Sequence, residues 1–286
     1  MSDPQSPAPS GPDALEARLE RDEVVLLPSA PFPLPFGDDL AFLLRQTVAG
    51  PAHKHITFDP QGGELTGFAR SDDDGQPARL RGVLAAFSVG VTRWLYEALP
   101  RYRGGVEPDR VSFRPEEEAT RPLRPNARND LLHIDAFPTR PARGRRLLRV
   151  FVNLNPNEPR VWATSEPLPR LLERHGARMR AIGGAWLDRV GDGLLDLFRP
   201  RLARPTAADR QMRRLHDYLK ANHEFQERSP RRLWRFPPGA AWLAMTDGCC
   251  YAELRGRHAL EHSFFVAPAV LLYPDRAPAA LLARAA

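Results

Sequence analysis

Leu131-Leu132-His133-Ile134-Asp135-Ala136-Phe137-Pro138, followed closely by Arg143-Gly144-Arg145-Arg146-Leu147-Leu148-Arg149-Val150-Phe151, is the stretch on which the reading of this chain turns. In extended chain, residues two apart point to the same side. An imidazole and a carboxylate, His133 and Asp135, are therefore held side by side among Leu, Ile and Phe. That is two-thirds of the facial triad that binds non-haem ferrous iron and leaves positions open for oxygen and a cosubstrate. A His-x-Asp alone is common, and its ordinary reading is a partly exposed His paired with a neighbouring Asp. Arg149 interrupts an apolar run. Such an Arg lies either on an exposed face or inside with a partner, because an unpaired buried charge is prohibitively unfavourable.

Working outward, the local patterns predict helices first, then short strands, a helical insertion and strands again. Glu23–Pro28 and Ile56–Phe58 read as strands. Asp38–Thr47 and Leu80–Leu99 carry apolar residues at helical spacing, with Leu84, Phe87, Val91 and Leu95 on one face. The segment 102–107 reads as a linker. Short strands with Pro and Gly turns follow from Val111 to Trp162. Helices are expected over 167–198 and 209–227, and strands resume at 233–236, 241–246, 251–254 and 259–266. The tail ends in a short helix. This order is α+β. Residues 1–13, rich in Ser, Pro and Asp, read as a disordered tail, and 14–286 as a single domain with no internal repeats.

Longer pieces then add up to a resemblance. Val111-Ser112-Phe113-Arg114-Pro115, the His133 stretch, Arg149-Val150-Phe151-Val152-Asn153-Leu154-Asn155-Pro156, Pro159-Arg160-Val161-Trp162, Leu215-His216-Asp217-Tyr218-Leu219-Lys220-Ala221, Phe236-Pro237-Pro238-Gly239, Thr246-Asp247 and Leu260-Glu261-His262-Ser263-Phe264 stand in order. In this the chain resembles the bacterial Kdo (3-deoxy-D-manno-oct-2-ulosonic acid) hydroxylases of the Fe(II)/2-oxoglutarate dioxygenase superfamily. The resemblance implies a double-stranded β-helix, or jelly roll, over about 111–266, with N-terminal helices and a helical insertion over about 166–228. It implies His133 and Asp135 as metal ligands for Fe(II). It also implies Arg114 and Arg149 as contacts to 2-oxoglutarate, whose free carboxylate suits a planar guanidinium fork. Trp162 is read either as a wall of that pocket or as core.

One position departs from the family. Its third metal ligand is a His four residues after the Thr-Asp pair, and here that residue is Tyr251. Three readings stay open. Tyr251 ligates through its phenolic oxygen; or His262, through a tight hairpin over 255–258, or Cys249 substitutes; or the site is degenerate and the protein binds a glycan or lipopolysaccharide precursor without turnover. The implied reaction is hydroxylation of a Kdo residue at carbon 3 in lipid A precursors. Arg128, Arg140, Arg145 and Arg146 are candidates for the acidic groups of that substrate. His53 and His55 could form a second metal pair, though a solvated loop is the plainer reading.

Composition bounds the alternatives. The 286 residues are 42% hydrophobic, enough for a sizeable core, and the net charge is +6. Lys54 and Lys220 are the only lysines, so the basic character is almost wholly Arg. The surplus favours acidic partners: a Kdo-containing lipid A precursor, or an anionic inner-membrane surface touched by Arg199, Arg201, Arg204, Arg213 and Arg214. Nucleic acid is disfavoured, for want of basic patches interleaved with aromatics. The two cysteines, Cys249 and Cys250, are adjacent and unsuited to pairing with each other. No apolar run is long enough to span a membrane. The expectation is a cytoplasmic protein, docked peripherally on the inner membrane.

Overall fold

The computed structural model describes residues 14–50, 53–117, 123–137, 139–182 and 204–284. The expected tail 1–13, Arg199, Arg201 and the helix expected beyond residue 182 lie outside them. Ten strands appear: β1 (Val25–Leu27), β2 (Ile56–Phe58), β3 (Leu65–Thr66), β4 (Val106–Arg114), β5 (Arg146–Asn153), β6 (Arg160–Thr164), β7 (Arg232–Phe236), β8 (Ala241–Met245), β9 (Tyr251–Arg255) and β10 (Ala259–Val266). They form a seven-stranded sheet ordered β1-β8-β5-β10-β4-β2-β3 and a three-stranded sheet ordered β7-β6-β9. Every named pair is antiparallel.

The large sheet is covered on both faces, so every residue of β5 and β10 is buried, the polar ones among them needing partners inside. Its outer face carries Val111, Phe113, Leu148, Val150, Val152, Leu260 and Phe264. These pack under helix α3 (Gln76–Ala98), whose Leu80, Leu84, Phe87, Val91 and Leu95 form the apolar stripe that the sequence spacing predicted. The inner face meets the small sheet through aromatic side chains. Phe151 and Trp242 lie on one side, Trp162, Phe236 and Tyr251 on the other. Phe236 stacks on Trp242 at 3.9 Å between ring centroids, and Trp162 on Tyr251 at 4.5 Å.

Helix α4 (Leu168–Ile182) and helix α5 (Ala207–Ala221) close one end of the roll. α5 begins at a capping box: Thr206 Oγ1 accepts from Asp209 N at 3.2 Å, and Asp209 Oδ2 accepts from Thr206 N at 2.7 Å. Its buried Met212, Leu215 and Leu219 pack on Leu132 and Ile134, on either side of His133. Burying each such side chain contributes roughly 1.5–3 kcal/mol, so α5 fixes the metal-site segment in place. Helices α1 (Ala14–Glu20), α2 (Gly37–Leu44), α6 (His223–Arg228) and α7 (Pro278–Arg284) complete the α-helices of the described residues.

Three expectations are corrected. The segment 102–107 is not a linker: β4 already starts at Val106 and pairs with β10. The helix expected over 209–227 is two helices, because Asn222 leaves helical geometry (φ −85°, ψ 99°) and caps α6 by accepting from Phe225 N at 3.1 Å. Finally, β9 and β10 belong to different sheets, so no hairpin sets Tyr251 opposite His262.

Candidate active site

His133 is fixed by backbone pairing rather than by a regular strand. His133 N donates to Tyr251 O at 2.9 Å, and Tyr251 N donates to His133 O at 2.8 Å. This isolated antiparallel bridge puts the two side chains on one face, with ring centroids 4.6 Å apart. Asp135 N donates to Thr246 O at 2.7 Å, which seats the carboxylate beside the imidazole. His133 Nε2 lies 3.7 Å from Asp135 Oδ1. His133 Nδ1 is 2.7 Å from Leu131 O, an oxygen that can only accept, so the proton sits on Nδ1 and Nε2 keeps its lone pair. Burial, then the charge of Lys220 and the neighbouring His216, holds the imidazole pKa well below 6.5. The neutral form that a metal needs is therefore the resting one.

The other oxygen of Asp135 is already engaged. Oδ2 accepts from Arg149 Nη1 at 2.6 Å and from the Tyr251 hydroxyl at 3.1 Å, and Arg149 Nη1 also donates to that hydroxyl oxygen at 3.0 Å. Burial, reinforced by Asp135, pushes the Tyr251 phenol well above its usual pKa of 10, so it is a neutral phenol in this arrangement. Arg149 is thus the buried Arg with partners. Its second terminal nitrogen pairs with Glu261.

From Glu261 the ion network runs on. Arg114 Nε donates to Glu261 Oε2 at 2.9 Å, and Arg114 Nη1 stands 3.5 Å from Glu253 Oε2, which also pairs with Arg160. Three guanidiniums (Arg114, Arg149, Arg160) thus face three carboxylates (Asp135, Glu253, Glu261) inside the roll. Burial alone would raise the Glu261 pKa, but Arg114 and Arg149 outweigh it and hold the carboxyl well below its usual range. Trp162 is fully buried and stacks on Tyr251, so it walls this site and belongs to the core at once.

The donor atoms fit a divalent metal in part by the expected set and in part by a substitute. An imidazole nitrogen and a carboxylate oxygen, His133 Nε2 and Asp135 Oδ1, lie side by side. Among the described residues no group of three His, Cys, Asp or Glu side chains gathers for a metal. The two substitutes considered for the third position stand as follows. His262 projects from the opposite face of β10 toward α3, its Nε2 3.5 Å from Ser88 Oγ. Cys249 sits in the turn after β8, in the aromatic cluster with Trp162 and Trp242, and burial raises its thiol well above a pKa of 9. The side chain across from His133 is Tyr251, whose oxygen is the third donor at hand.

A cavity of about 240 Å³ lies against Asp135, and Arg140 and Arg145 line it. Arg146 does not. It is fully buried, donating from Nη2 to Asp22 Oδ1 at 2.6 Å and from Nε to Asp247 Oδ1 at 3.1 Å, which ties the end of α1 to the roll. Arg128 pairs with Asp130, two residues along, from Nε at 2.9 Å.

The profile of a family described as 3-deoxy-D-manno-oct-2-ulosonic acid (Kdo) hydroxylase matches residues 3–286. The chain belongs to the Kdo hydroxylase family. Two crystal structures of the Kdo hydroxylase KdoO, a non-heme Fe(II) alphaketoglutarate dependent dioxygenase, are similar to it, one holding alphaketoglutarate and Fe(III) and the other cobalt(II). Each is 31% identical over 96% of this chain and 89% of its own, with a TM-score of 0.84. A third, with succinate and Fe(III), has a TM-score of 0.83 at the same identity and coverage. No curated protein matches.

In this Kdo hydroxylase the structure sets His133 beside Asp135, Tyr251 across from His133, and Arg149 and Arg114 in one charge network. Residue-by-residue reading passed over Glu253, Glu261, Arg160 and His216. The first two carried a signal. In β10, Leu260, His262, Phe264 and Val266 alternate with Ala259, Glu261 and Ser263, and a carboxylate inside a strand buried on both faces demands a buried cation. His216 carried none beyond its motif; its ring lies 5.3 Å from that of His133, with Nδ1 donating to Ile134 O at 2.6 Å.

Proposed function

We propose that this Kdo hydroxylase is an Fe(II)- and 2-oxoglutarate-dependent oxygenase that puts a hydroxyl on carbon 3 of a Kdo residue in a lipid A precursor. The observation that carries the reading is the free lone pair of His133 Nε2 beside Asp135 Oδ1, with Asp135 lining a cavity. His133 Nε2, an oxygen of Asp135 and the hydroxyl oxygen of Tyr251 would hold the iron. When bound with 2-oxoglutarate, iron supplies oxygen activation: O2 and 2-oxoglutarate become succinate, CO2 and the new hydroxyl group.

The chain's own residues do the rest. Leu131 O fixes the His133 tautomer. Arg149 holds the Asp135 carboxylate in place. Arg114 and Arg149 would receive the far carboxylate of 2-oxoglutarate, a role that requires Glu261 to yield one of its two guanidiniums. The packed rings of Phe151 and Trp242, stacked on each other, and Trp162, edge-on to both, keep water from that side of the site.

Charge also couples the two cofactors. Fe(II) and the 2-oxoglutarate dianion carry equal and opposite charge, so together they add no net charge to this buried network, whereas either alone adds two. Family membership does not favour the binding-only alternative. The test is an anaerobic titration with Fe(II) and 2-oxoglutarate, followed by oxygen and a Kdo-bearing substrate. The expected result is a visible metal-to-cosubstrate charge-transfer band that His133→Ala abolishes, and one succinate formed per hydroxylated sugar. A glycan that binds without succinate formation would overturn the reading.

Two finer readings go with it. We read residues 14–286 as one domain. No helix among the described residues is long and apolar enough to cross a membrane, and we infer peripheral docking of the Arg204, Arg213 and Arg214 side on an anionic leaflet, releasable by salt.

A further inference from the structure

The aromatic cluster behind the candidate site runs on to the surface. Tyr251 begins it at the site itself, its hydroxyl donating to Asp135 Oδ2 at 3.1 Å. Its ring stacks on Trp162, with centroids 4.5 Å apart. Trp162 stands directly across from Trp234 in the β6–β7 ladder, where facing side chains share one side of the sheet. Phe236 packs beside both, its ring centroid 5.7 Å from that of Trp162 and 6.2 Å from that of Trp234. β7 is an edge strand, and Trp234 is only half-buried on it. A row of oxidisable rings thus leads from Asp135 to solvent. Trp242, enclosed between Phe151 and Phe236, offers no such exit.

Two details set this row apart from ordinary core. The first is the choice of Trp. The indole N–H of Trp162 is buried with no partner among the described residues. An unpaired buried donor is unfavourable, and a Phe would fill apolar space without one. The second is the contrast at Trp234, whose Nε1 donates to Thr164 Oγ1 at 2.9 Å. An oxidised indole with no acceptor keeps its proton and stays a strong oxidant, so it draws an electron from its neighbour. An oxidised indole with an acceptor at the surface sheds the proton and settles as a neutral radical. The guanidinium of Arg232, 4.1 Å from the Trp234 ring centroid, favours that loss of positive charge.

We propose that Tyr251, Trp162 and Trp234 form an electron relay that protects the site when oxygen is activated with no sugar in place. One electron leaves Trp234, passes through Trp162 and Tyr251, and reduces the oxidised metal centre by one equivalent. The Tyr251 proton shifts to Asp135 Oδ2 as its electron goes, and returns when Trp162 refills the ring. The Trp234 proton leaves through Thr164 to water. A soluble thiol then reduces the Trp234 radical and is itself oxidised. Phenol and indole radicals lie close in potential, so this drain at the surface sets the direction. The inference rests on the oxygenase reading for its oxidant. Cys249, in the same cluster, is the competing sink.

Two measurements test it. In the first, metal-free full-length protein is exposed to azide radicals in pulse radiolysis, which oxidise accessible indole. Part of the indolyl absorption should convert to phenoxyl absorption at a rate independent of protein concentration, because the two ends are coupled equally in either direction. Tyr251→Phe and Trp234→Phe should each lose that phase, as should Trp162→Phe if circular dichroism shows it folded. A phase unchanged in Tyr251→Phe or in Trp234→Phe overturns the relay. In the second, protein loaded with Fe(II) and 2-oxoglutarate is held in oxygen without sugar and mapped by peptide mass spectrometry. Oxygen should add mainly at Trp234, and less when a thiol is present. Trp234→Phe should move the damage inward to Tyr251 and lose cobalt(II)-binding capacity several-fold faster, with initial turnover of a sugar substrate unchanged. Damage centred on Cys249, or equal in wild type and Trp234→Phe, also overturns the relay. Transfer in the first measurement with no oxidation at all in the second would sink the oxygenase reading and leave the electron path standing.

Discussion

Replacing Tyr251 by His should tighten divalent-metal binding, and the contacts of Asp135 set the size of the effect. A metal that takes Asp135 must compete with two hydrogen bonds to the same oxygen, from Arg149 Nη1 at 2.6 Å and from the Tyr251 hydroxyl at 3.1 Å. A hydrogen bond to a charged group contributes about 1.5–3 kcal/mol. Tyr251→His removes the second of them and offers an imidazole nitrogen across the same backbone bridge to His133. Relief of that one bond alone is worth about 10- to 150-fold in affinity, before any gain from the better donor. The assay is anaerobic cobalt(II) titration followed by visible absorption, with Fe(II) and 2-oxoglutarate as a second probe and circular dichroism to confirm folding. Tyr251→Phe is the control. It relieves the same hydrogen bond but also takes away the phenolic oxygen and adds no donor, so any gain should fall well below that of Tyr251→His. The reasoning is refuted if folded Tyr251→His gains less than about threefold, or if Tyr251→Phe gains as much as Tyr251→His.

Other expectations follow from the same contacts. Arg149→Met leaves Asp135 and Glu261 short of a cation in the interior, so urea unfolding should show a loss of about 3–5 kcal/mol; adding Glu261→Gln should recover part of it, and strict additivity of the two changes would argue against the network. Acid should destabilise the fold through its buried imidazoles. Burial first, then Lys220, lowers His216 to about 4, and burial lowers His262 to about 3. Their folded pKa values lie below the unfolded value of about 6.5, so the unfolded chain binds more protons and stability is lost as pH falls through 6.5. Between pH 7 and pH 5 each should contribute about 2 kcal/mol of that loss. His262→Gln should flatten the stability profile over this interval, and an unchanged slope would count against the assignment.

Much of the local structure was legible in the sequence. The stripe of α3, the apolar strands and the His133–Asp135 pair all follow from periodicities of a few residues. Such spacing is read directly from the chain, because one helical turn or one strand pleat fixes which side chains share a face. The break at Asn222 was harder. Apolar spacing continues through Met212, Leu215, Leu219 and Phe225, while the side-chain cap of the single residue Asn222 decides where the backbone turns.

What the sequence determined by itself was the set of chemical groups: an imidazole and a carboxylate two residues apart, a lone Arg in an apolar strand, and a Tyr where the family has its third His. It determined that these groups would need partners, not which ones. Only the tertiary structure decided that Arg149 meets Glu261, 112 residues away, and Tyr251, 102 residues away. Only the sheet assignment of β9 and β10 turned His262 outward to Ser88 and brought Tyr251 across from His133. The physical reason is that pairing register between distant strands is set by the packing of two sheets as a whole. A buried charge takes its partner from that register, whereas local spacing only says which way the charge points.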